Sequence, residues 1–375
     1  MPLTPAVLEA ANAFRQRLLL RERQSATAMV RFYGESWQRI KAETDALIVE
    51  VEAMRAAGET ITRGKLVRLE RLQAIERQTL REMERFAGYA DITLTSAQRE
   101  ALLAGERDAH DLLQLSFPQG QVSVTFYHMP REAAEAYVGM LQDGTPLRKL
   151  LEQYVGDAAQ ALSETLISGL VQGKNPREVA RLARQQFGLG LNDSLRLART
   201  EQLRAYRTAT LQSYQANSDI VKGWTRHSAK LTNSCLACLM MDGTEYTTRE
   251  EMQDHPNGKC FMIPRTKTYA EMGIDAPEPQ FTPESGRDWF LRQDEATQRR
   301  MMGHISKDAY DSWKAGLFTL DDIPQHSESA DWGGQWTEKP MWKLLGLDGP
   351  QHSYAETTLE MMGGNLERAF REAGL

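Results

Sequence analysis

The sequence predicts a mainly α-helical, multi-domain protein that contains one small α+β unit built on cysteine and histidine. Long stretches rich in Ala, Leu, Glu, Arg and Gln, with little glycine or proline, are typical of helices. Short segments with strand character gather around residues 219–250. All three cysteines of the 375-residue chain lie in this neighbourhood, from Cys235 to Cys260. A compact Cys/His unit is therefore expected inside a helical chain.

The first region, residues 1–125, is expected to consist of long helices. Gly34 is the one glycine of the first helical run, and we expect a bend near it. The Gly-Glu-Thr sequence at 58–60 should end this run. Helices are predicted from about 6 to 57, from about 62 to 86, and from an N-cap at Thr95 or Ser96 onward. Alternation of apolar and polar residues predicts a short strand at 122–126.

The second region, residues 126–218, is predicted to be helical as well. Pro146 and Pro176 each follow a capping residue and occupy the first position of a predicted helix. Gly173 ends the first of these helices, and a loop is expected at 189–194 before another helix. Two further regions complete the expected organisation, the small α+β Cys/His unit at 219–270 and a helical and irregular C-terminal region at 271–375.

Composition and charge exclude some functional classes. The net charge of −6 and the pI of 5.8 argue against a dedicated DNA-wrapping protein. The first residues lack the apolar core of a signal peptide, and no apolar run reaches the ~18 residues that cross a bilayer. We therefore expect a protein made in the cytoplasm, without a membrane span and with reduced cysteines.

The cysteines and one histidine have the spacing of a metal site. Cys235 and Cys238 form a C-x2-C pair, and His255 and Cys260 follow as H-x4-C across a turn-forming Pro-Asn-Gly-Lys segment. A C-x2-C turn lets two thiolates hold one ion, and a second pair from a distant loop completes a tetrahedron. These four residues are the predicted ligands of a structural zinc ion.

Other interpretations of the same residues stay open. An unmetallated knuckle would use them as small side chains in a loop core. A thioredoxin-like redox pair needs a helix at Cys235 in a βαβ context, whereas Asp242 and Gly243 predict a turn. A catalytic Cys/His dyad is a third possibility, although the sequence does not indicate a group that would orient the base of such a dyad. The Asp-His-Pro-Asn-Gly sequence at 254–258 resembles half of an HNH nuclease motif, but the next histidine is His304.

Several segments occur in an order that identifies a family resemblance. A helix carries Arg199, Thr200 and Glu201, a strand with Trp224 follows, and then come C-x2-C, an Asp-Gly turn and His-Pro-Asn-Gly-Lys-Cys. In this order they resemble the phage Mu F-protein-like minor head proteins, also called phage head morphogenesis proteins. The resemblance extends over about residues 145–345. The family usually closes with two cysteines, whereas this chain has Cys260 alone.

The resemblance implies a minor capsid protein of a tailed-phage head, a virion component assembled in the host cytoplasm. Its expected partners are the portal protein and the major capsid or scaffolding proteins, and a role beside phage DNA in packaging or ejection is a further expectation. A structural protein of this kind is expected not to be an enzyme. The alternative is a metal-dependent nuclease or a toxin-type effector that uses the Cys/His unit, because Mu F-like domains can be joined to C-terminal toxin domains.

Further residues of the segments that carry the resemblance are expected to have structural roles. Arg199 and Glu201 are expected to form an ion pair that pins their helix to the Cys/His unit. Trp224 is expected to lie in the core of the unit, and Asp242 and Gly243 to form its turn. The basic helical stretch at 196–207 is a candidate contact for DNA phosphates, although most basic helical faces are simply solvated.

Overall fold

The computed structural model describes residues 3–118, 125–128, 130–141, 143–329 and 332–347. The strand predicted at 122–126 lies largely outside these residues. Helices account for 62% of the chain and the strands form two small antiparallel sheets, which confirms the predicted fold class. In the part of the chain that the structure describes, none of the helices has the length and apolarity needed to cross a membrane.

The α-helices are α1 Pro5–Ala56, α2 Arg63–Val67, α3 Glu70–Leu115, α4 Arg131–Glu135, α5 Leu147–Val171, α6 Pro176–Ala216, α7 Leu236–Met240, α8 Gly286–Leu291, α9 Glu295–Met302, α10 Ala309–Lys314 and α11 Met341–Leu344. The strands are β1 Val221–His227, β2 Glu245–Thr247, β3 Phe261–Thr266, β4 Pro324–Ser329 and β5 Gly333–Glu338.

Strand β1 is the centre of a three-stranded antiparallel sheet in the order β2-β1-β3. Its residue Trp224 lies opposite Tyr246 on β2 and opposite Pro264 on β3. The second sheet is the β4–β5 hairpin. Strands at 221–227 and 245–247 agree with the segments whose sequence indicated strands, whereas β3 and the hairpin were not expected.

Helix α1 continues without interruption through Gly34 and ends near the expected break. Gly58 follows with φ of +81°, a left-handed conformation that glycine adopts at little cost. Tyr33, Trp37 and Ile40 are buried on one face of the helix around Gly34. Burial of this face favours a continuous helix over a break at a single glycine.

The second predicted helix consists of α2 and the first part of α3, and α3 continues without a break through the start of the third predicted helix. Thr95 and Ser96 lie in its interior and do not cap a helix. Ala87, Ala90 and Leu94 are buried at helical spacing immediately before them. This apolar face extends through the two hydroxyl residues, so packing outweighs their preference for a helix start.

The loop predicted at 189–194 is also wrong, because α6 passes through it as one helix. Gly190 lies where an added Cβ would be 2.9 Å from the Cβ of Ala158 and 3.1 Å from the backbone oxygen of Tyr154. Ser194 is accommodated in the helix because its hydroxyl donates to the Gly190 carbonyl at 2.7 Å. Gly190 therefore permits close packing against α5 and does not break the helix.

Two compact units divide the chain. The described residues of the first unit fall within 1–20, 98–138 and 200–353, and those of the second fall within 21–97 and 139–199. The second unit has an aromatic core in which Tyr33 contacts both Phe86 and Phe187. The first unit contains the Cys/His segment. The four-region organisation expected from the sequence stays a prediction.

The first unit contains several apolar clusters, and two of them involve residues 214–239. One joins Trp224 and Tyr214 to residues of α3 and β3. The other joins Leu236 and Leu239 of α7 to Phe290 and to the short helices that follow it. The C-terminal region was expected to be helical and irregular, and its described residues contain the β4–β5 hairpin as well as short helices.

Candidate metal centre

The sheet supplies a rigid base for the Cys/His segment. Trp224 is fully buried, its ring stacks on Tyr246 with centroids 4.1 Å apart, and its indole N–H donates to the Glu250 carbonyl at 3.0 Å. Trp224 therefore lies in the core of this unit. Side chains two apart on a strand share a face, so Arg226 lies on the same buried side as Trp224.

The first pair of cysteines lies at the start of α7. Cys235 is the N-cap of this single helical turn and Cys238 lies within it. The turn at Asp242 and Gly243 follows, and the Gly243 N–H donates to the Arg226 carbonyl at 2.8 Å. Sequence reasoning set this turn against a helix at Cys235, but both are present. The flanking strands are antiparallel, so the βαβ context of a thioredoxin-like motif is not formed by β1 and β2.

The second pair is delivered by the predicted tight turn. The Gly258 N–H donates to the His255 carbonyl at 2.8 Å, and Asn257 has φ of +65°. The hydroxyl of Thr200 on α6 accepts from the Asn257 N–H at 3.2 Å. Cys260 immediately precedes β3, so the sheet fixes the far end of this loop.

The predicted ligands converge on the sulfur of Cys238. Potential ligand atoms of Cys235, Cys238 and His255 lie within 4.8 Å of one another, and so do those of Cys238, Asp254 and Cys260. His255 Nε2 is 3.3 Å from Cys238 Sγ. Cys238 and Cys260 are buried, and Cys235 is partly exposed. Each set of three is therefore close enough to hold one metal ion, and Cys238 belongs to both sets.

The distances also fit zinc coordination. A sulfur and a nitrogen bound to Zn²⁺ at their usual lengths are about 3.5 Å apart across a tetrahedral angle, close to the 3.3 Å between Cys238 and His255. His255 Nδ1–H donates to the Pro256 carbonyl at 2.9 Å. A hydrogen bond of this kind orients a metal-binding imidazole and leaves its other nitrogen for the ion.

A buried charge network that the sequence analysis did not find surrounds these residues. Arg226 Nη2 donates to Asp254 Oδ1 at 2.7 Å and lies 3.6 Å from Cys238 Sγ. Arg207 Nη2 donates to Asp254 Oδ2 at 2.7 Å and to the Cys260 carbonyl at 2.6 Å. The side chains of Arg226 and Asp254 are each 1% exposed. Each oxygen of Asp254 is therefore held by an arginine.

The pKa values follow from this crowding. Burial disfavours the Asp254 carboxylate, but Arg226 and Arg207 outweigh it and lower its pKa to about 2. Burial also disfavours the His255 imidazolium, but Cys238 and Asp254 raise the pKa of His255 to about 10. Contact with Cys235 raises the pKa of the Cys238 thiol, and contact with Cys238 together with burial raises that of Cys260.

Arg199 and Glu201 were expected to form an ion pair that holds their helix to the Cys/His unit, and the structure gives each of them a different ionic partner. Arg199 Nη2 pairs with Glu22 at 2.7 Å, and Glu201 accepts from Arg204 Nε at 2.8 Å. Arg207 on the same helix contacts the Cys/His segment. A signal for Arg226 was present in the sequence, because an arginine on the inward face of a strand needs a buried counterion. The partnership with Arg207 is long-range, and nothing in local spacing indicates it.

Part of the chain is similar to a known protein. No family model and no solved structure matches the chain. A stretch of 112 residues, 29% of this chain, is 31% identical to the NAD(+)--arginine ADP-ribosyltransferase EFV of Enterococcus faecalis. The matched stretch covers 23% of that relative, so the chain spans less than a quarter of its length.

This similarity corrects one expectation. The chain was expected not to be an enzyme, and its partial similarity to a protein named as an ADP-ribosyltransferase contradicts that expectation. The expectation followed from the family resemblance and not from the chemistry of particular residues.

Proposed function

We propose that the chain is a minor head protein of a tailed phage and that its Cys/His segment is a structural zinc centre. The portal and the capsid or scaffolding proteins are its proposed partners. The support is the arrangement of the segments that carry the family resemblance. The helix at 199–207, the strand with Trp224, the C-x2-C turn and the His-Pro loop pack around one buried charge network.

The balance of buried charges around the Cys/His segment is the main support for the zinc proposal. Arg226 and Arg207 provide two positive charges against one negative charge on Asp254, and this surplus is buried. A buried charge without a partner is costly. Zn²⁺ with three thiolates and a neutral imidazole has a net charge of about −1, which balances the surplus. Without a metal ion, protonated thiols would leave it uncompensated, and the His255 imidazolium, with its pKa of about 10, would add a further positive charge.

In the proposed centre each side chain has a defined task. Cys235, Cys238, His255 and Cys260 hold the ion, and a bound zinc ion deprotonates the thiols that coordinate it. Arg226 stabilises the Cys238 thiolate from 3.6 Å. Pro256 orients the imidazole through its carbonyl. The centre thereby ties the α7 turn and the His255 loop to the sheet without a large apolar core.

Contact with DNA through the basic stretch of α6 receives little support. The four arginines of this stretch each pair with a carboxylate: Arg196 with Asp193, Arg199 with Glu22, Arg204 with Glu201 and Arg207 with Asp254. Neutralised guanidinium groups attract phosphates weakly. We therefore propose protein partners for this unit in preference to DNA.

The proposal is tested by co-expressing the tagged chain with the portal, major capsid and scaffolding proteins of a tailed phage and sedimenting the procapsids. The parent and His304→Ala, which changes an exposed histidine outside the centre, should sediment with procapsids. Cys238→Ser should reduce incorporation, because the loop that packs on α6 loses its anchor. Absence of the parent chain from procapsids would contradict the head-protein proposal.

The partial similarity favours a second candidate, an arginine ADP-ribosyltransferase. Mu F-like domains can be joined to toxin domains, so both candidates are compatible with a match to 23% of the relative. The test is incubation of the purified chain with labelled NAD⁺ and an arginine-rich acceptor protein. Label that enters the acceptor at arginine supports this candidate, and acceptor that stays unlabelled excludes it.

A further inference from the structure

We propose that Glu106, His110 and His128 form a second metal site, which takes a divalent transition-metal ion such as Zn²⁺, Co²⁺ or Ni²⁺. The potential ligand atoms of these three residues all lie within 4.8 Å of one another. All three belong to the first unit, and none contributes to the Cys/His centre.

Helix α3 provides two of the three ligands. Glu106 and His110 are four residues apart, so they lie on the same side of the helix one turn apart. His128 comes from the segment 125–128, and its Nδ1 is 3.2 Å from Glu106 Oε1. Two ligands of one zinc ion are about 3.4 Å apart at the usual bond lengths. This pair therefore already has the separation of ligands on a common ion.

An ordinary His–Glu ion pair would explain the contact of His128 with Glu106 but would not require His110. The rings of His110 and His128 are 4.6 Å apart and nearly perpendicular, at 80°. Two imidazoles beside one carboxylate are a donor set suited to zinc and to its neighbours in the first transition row.

Further contacts hold the ligands in place. His110 Nε2–H donates to the Tyr127 carbonyl at 3.2 Å, and the Phe126 ring stacks on His110 with centroids 5.4 Å apart. The Asn217 side chain is buried, accepts from the Tyr127 N–H at 3.0 Å and donates to its carbonyl at 3.2 Å. This pairing fixes the backbone next to His128, as supporting hydrogen bonds do around metal ligands.

The site is accessible to solvent, and a metal ion bound there would have a position open to ligand exchange. The His128 side chain is 74% exposed, whereas the Glu106 side chain is 18% exposed. Three protein ligands leave one position of a tetrahedron for water, as in metal sites that exchange ligands. The ion would join the 125–128 segment to the C-terminal part of α3.

Cobalt titration of the full chain distinguishes this site from the Cys/His centre. Cobalt bound by thiolates gives intense sulfur-to-metal charge-transfer absorption, and cobalt bound by imidazole and carboxylate does not. The parent should bind one equivalent of Co²⁺ with that absorption and a second equivalent without it. His128→Ala and Glu106→Gln should lose the second equivalent and keep the charge-transfer band, and His304→Ala should keep both.

The proposal is overturned if the parent takes up no cobalt beyond the thiolate-bound equivalent, or if His128→Ala binds the same amount as the parent. Circular dichroism of each variant reports whether it is folded. Because His128 is exposed, its replacement is not expected to affect folding, so the result for this variant is decisive. Competition with Zn²⁺ should displace the second equivalent of cobalt.

Discussion

At the level of single residues, the carboxylate of Asp254 organises the Cys/His centre. Its two oxygens bind Arg226 and Arg207, which approach from β1 and from α6. Removing one partner of a buried pair leaves an uncompensated charge. The centre thus depends on a residue that is adjacent to His255 in sequence yet is not among the predicted ligands.

We predict that Asp254→Asn lowers the free energy of unfolding by about 3–5 kcal/mol, because two buried guanidinium groups lose their counterion. Denaturant unfolding of the purified chain measures this change. The matched control is Asp45→Asn, which removes an exposed ion pair with Lys41 and should leave the midpoint nearly unchanged. Equal midpoints for the two variants would contradict the role assigned to Asp254.

We predict that the stability of the chain depends on pH through the buried imidazole of His227. Burial lowers its pKa from 6.5 to about 4 in the folded chain. Between these values the unfolded state binds more protons, so stability is fully present above pH 6.5 and is lost as pH falls toward 4. The pKa difference corresponds to about 3 kcal/mol.

The measurement is the unfolding free energy of the parent and of His227→Gln at pH 7 and at pH 5. Lys230 and Asp242 also face this imidazole, at 3.5 Å and 3.3 Å, and both are unchanged in the variant. The parent should lose more stability than the variant between the two values. A variant with the same pH dependence as the parent would show that another group titrates.

At the level of elements, the contact of α5 with α6 depends on a glycine. We predict that Gly190→Ala destabilises the chain, although alanine is the better helix former. Overpacking costs about 1–3 kcal/mol, which exceeds the gain in helix propensity of about 1 kcal/mol. Thermal unfolding measures the difference.

The control is Gly156→Ala in α5. This glycine is exposed, and an added Cβ there meets no described atom within 4 Å. The same substitution should therefore stabilise the chain by about 1 kcal/mol through helix propensity alone. The two substitutions are expected to change the stability of the chain in opposite directions. Stabilisation by both would mean that the helices separate easily at Gly190.

The sequence predicts an element correctly where neighbouring residues determine it, and fails where a contact with a distant residue determines it. The α6 start at Pro176 was predictable, because Asn175 Oδ1 accepts from the Arg177 N–H at 2.9 Å as an N-cap does. The loop at 189–194 was predicted wrongly, because Gly190 serves a contact with a distant helix. The β4–β5 hairpin was missed since its strands lack the apolar alternation that marks a half-buried strand.

At the level of the whole molecule, local spacing predicted the four ligands but not the environment that holds them. The C-x2-C and H-x4-C spacing was sufficient to bring Cys235, Cys238, His255 and Cys260 together as candidates. Arg207 and Arg226 reach the same place only through the packing of α6 on the sheet. The proposed zinc site therefore includes the complete centre, in which one ion would balance the charge of the two arginines and one aspartate.

The most direct test is the zinc-edge X-ray absorption spectrum of the purified full chain, recorded after a mild chelator wash that removes exchangeable ions. We predict about one retained zinc per chain with a first shell of three sulfurs and one nitrogen. A chain that retains no zinc, or a shell made only of nitrogen and oxygen, would contradict the account.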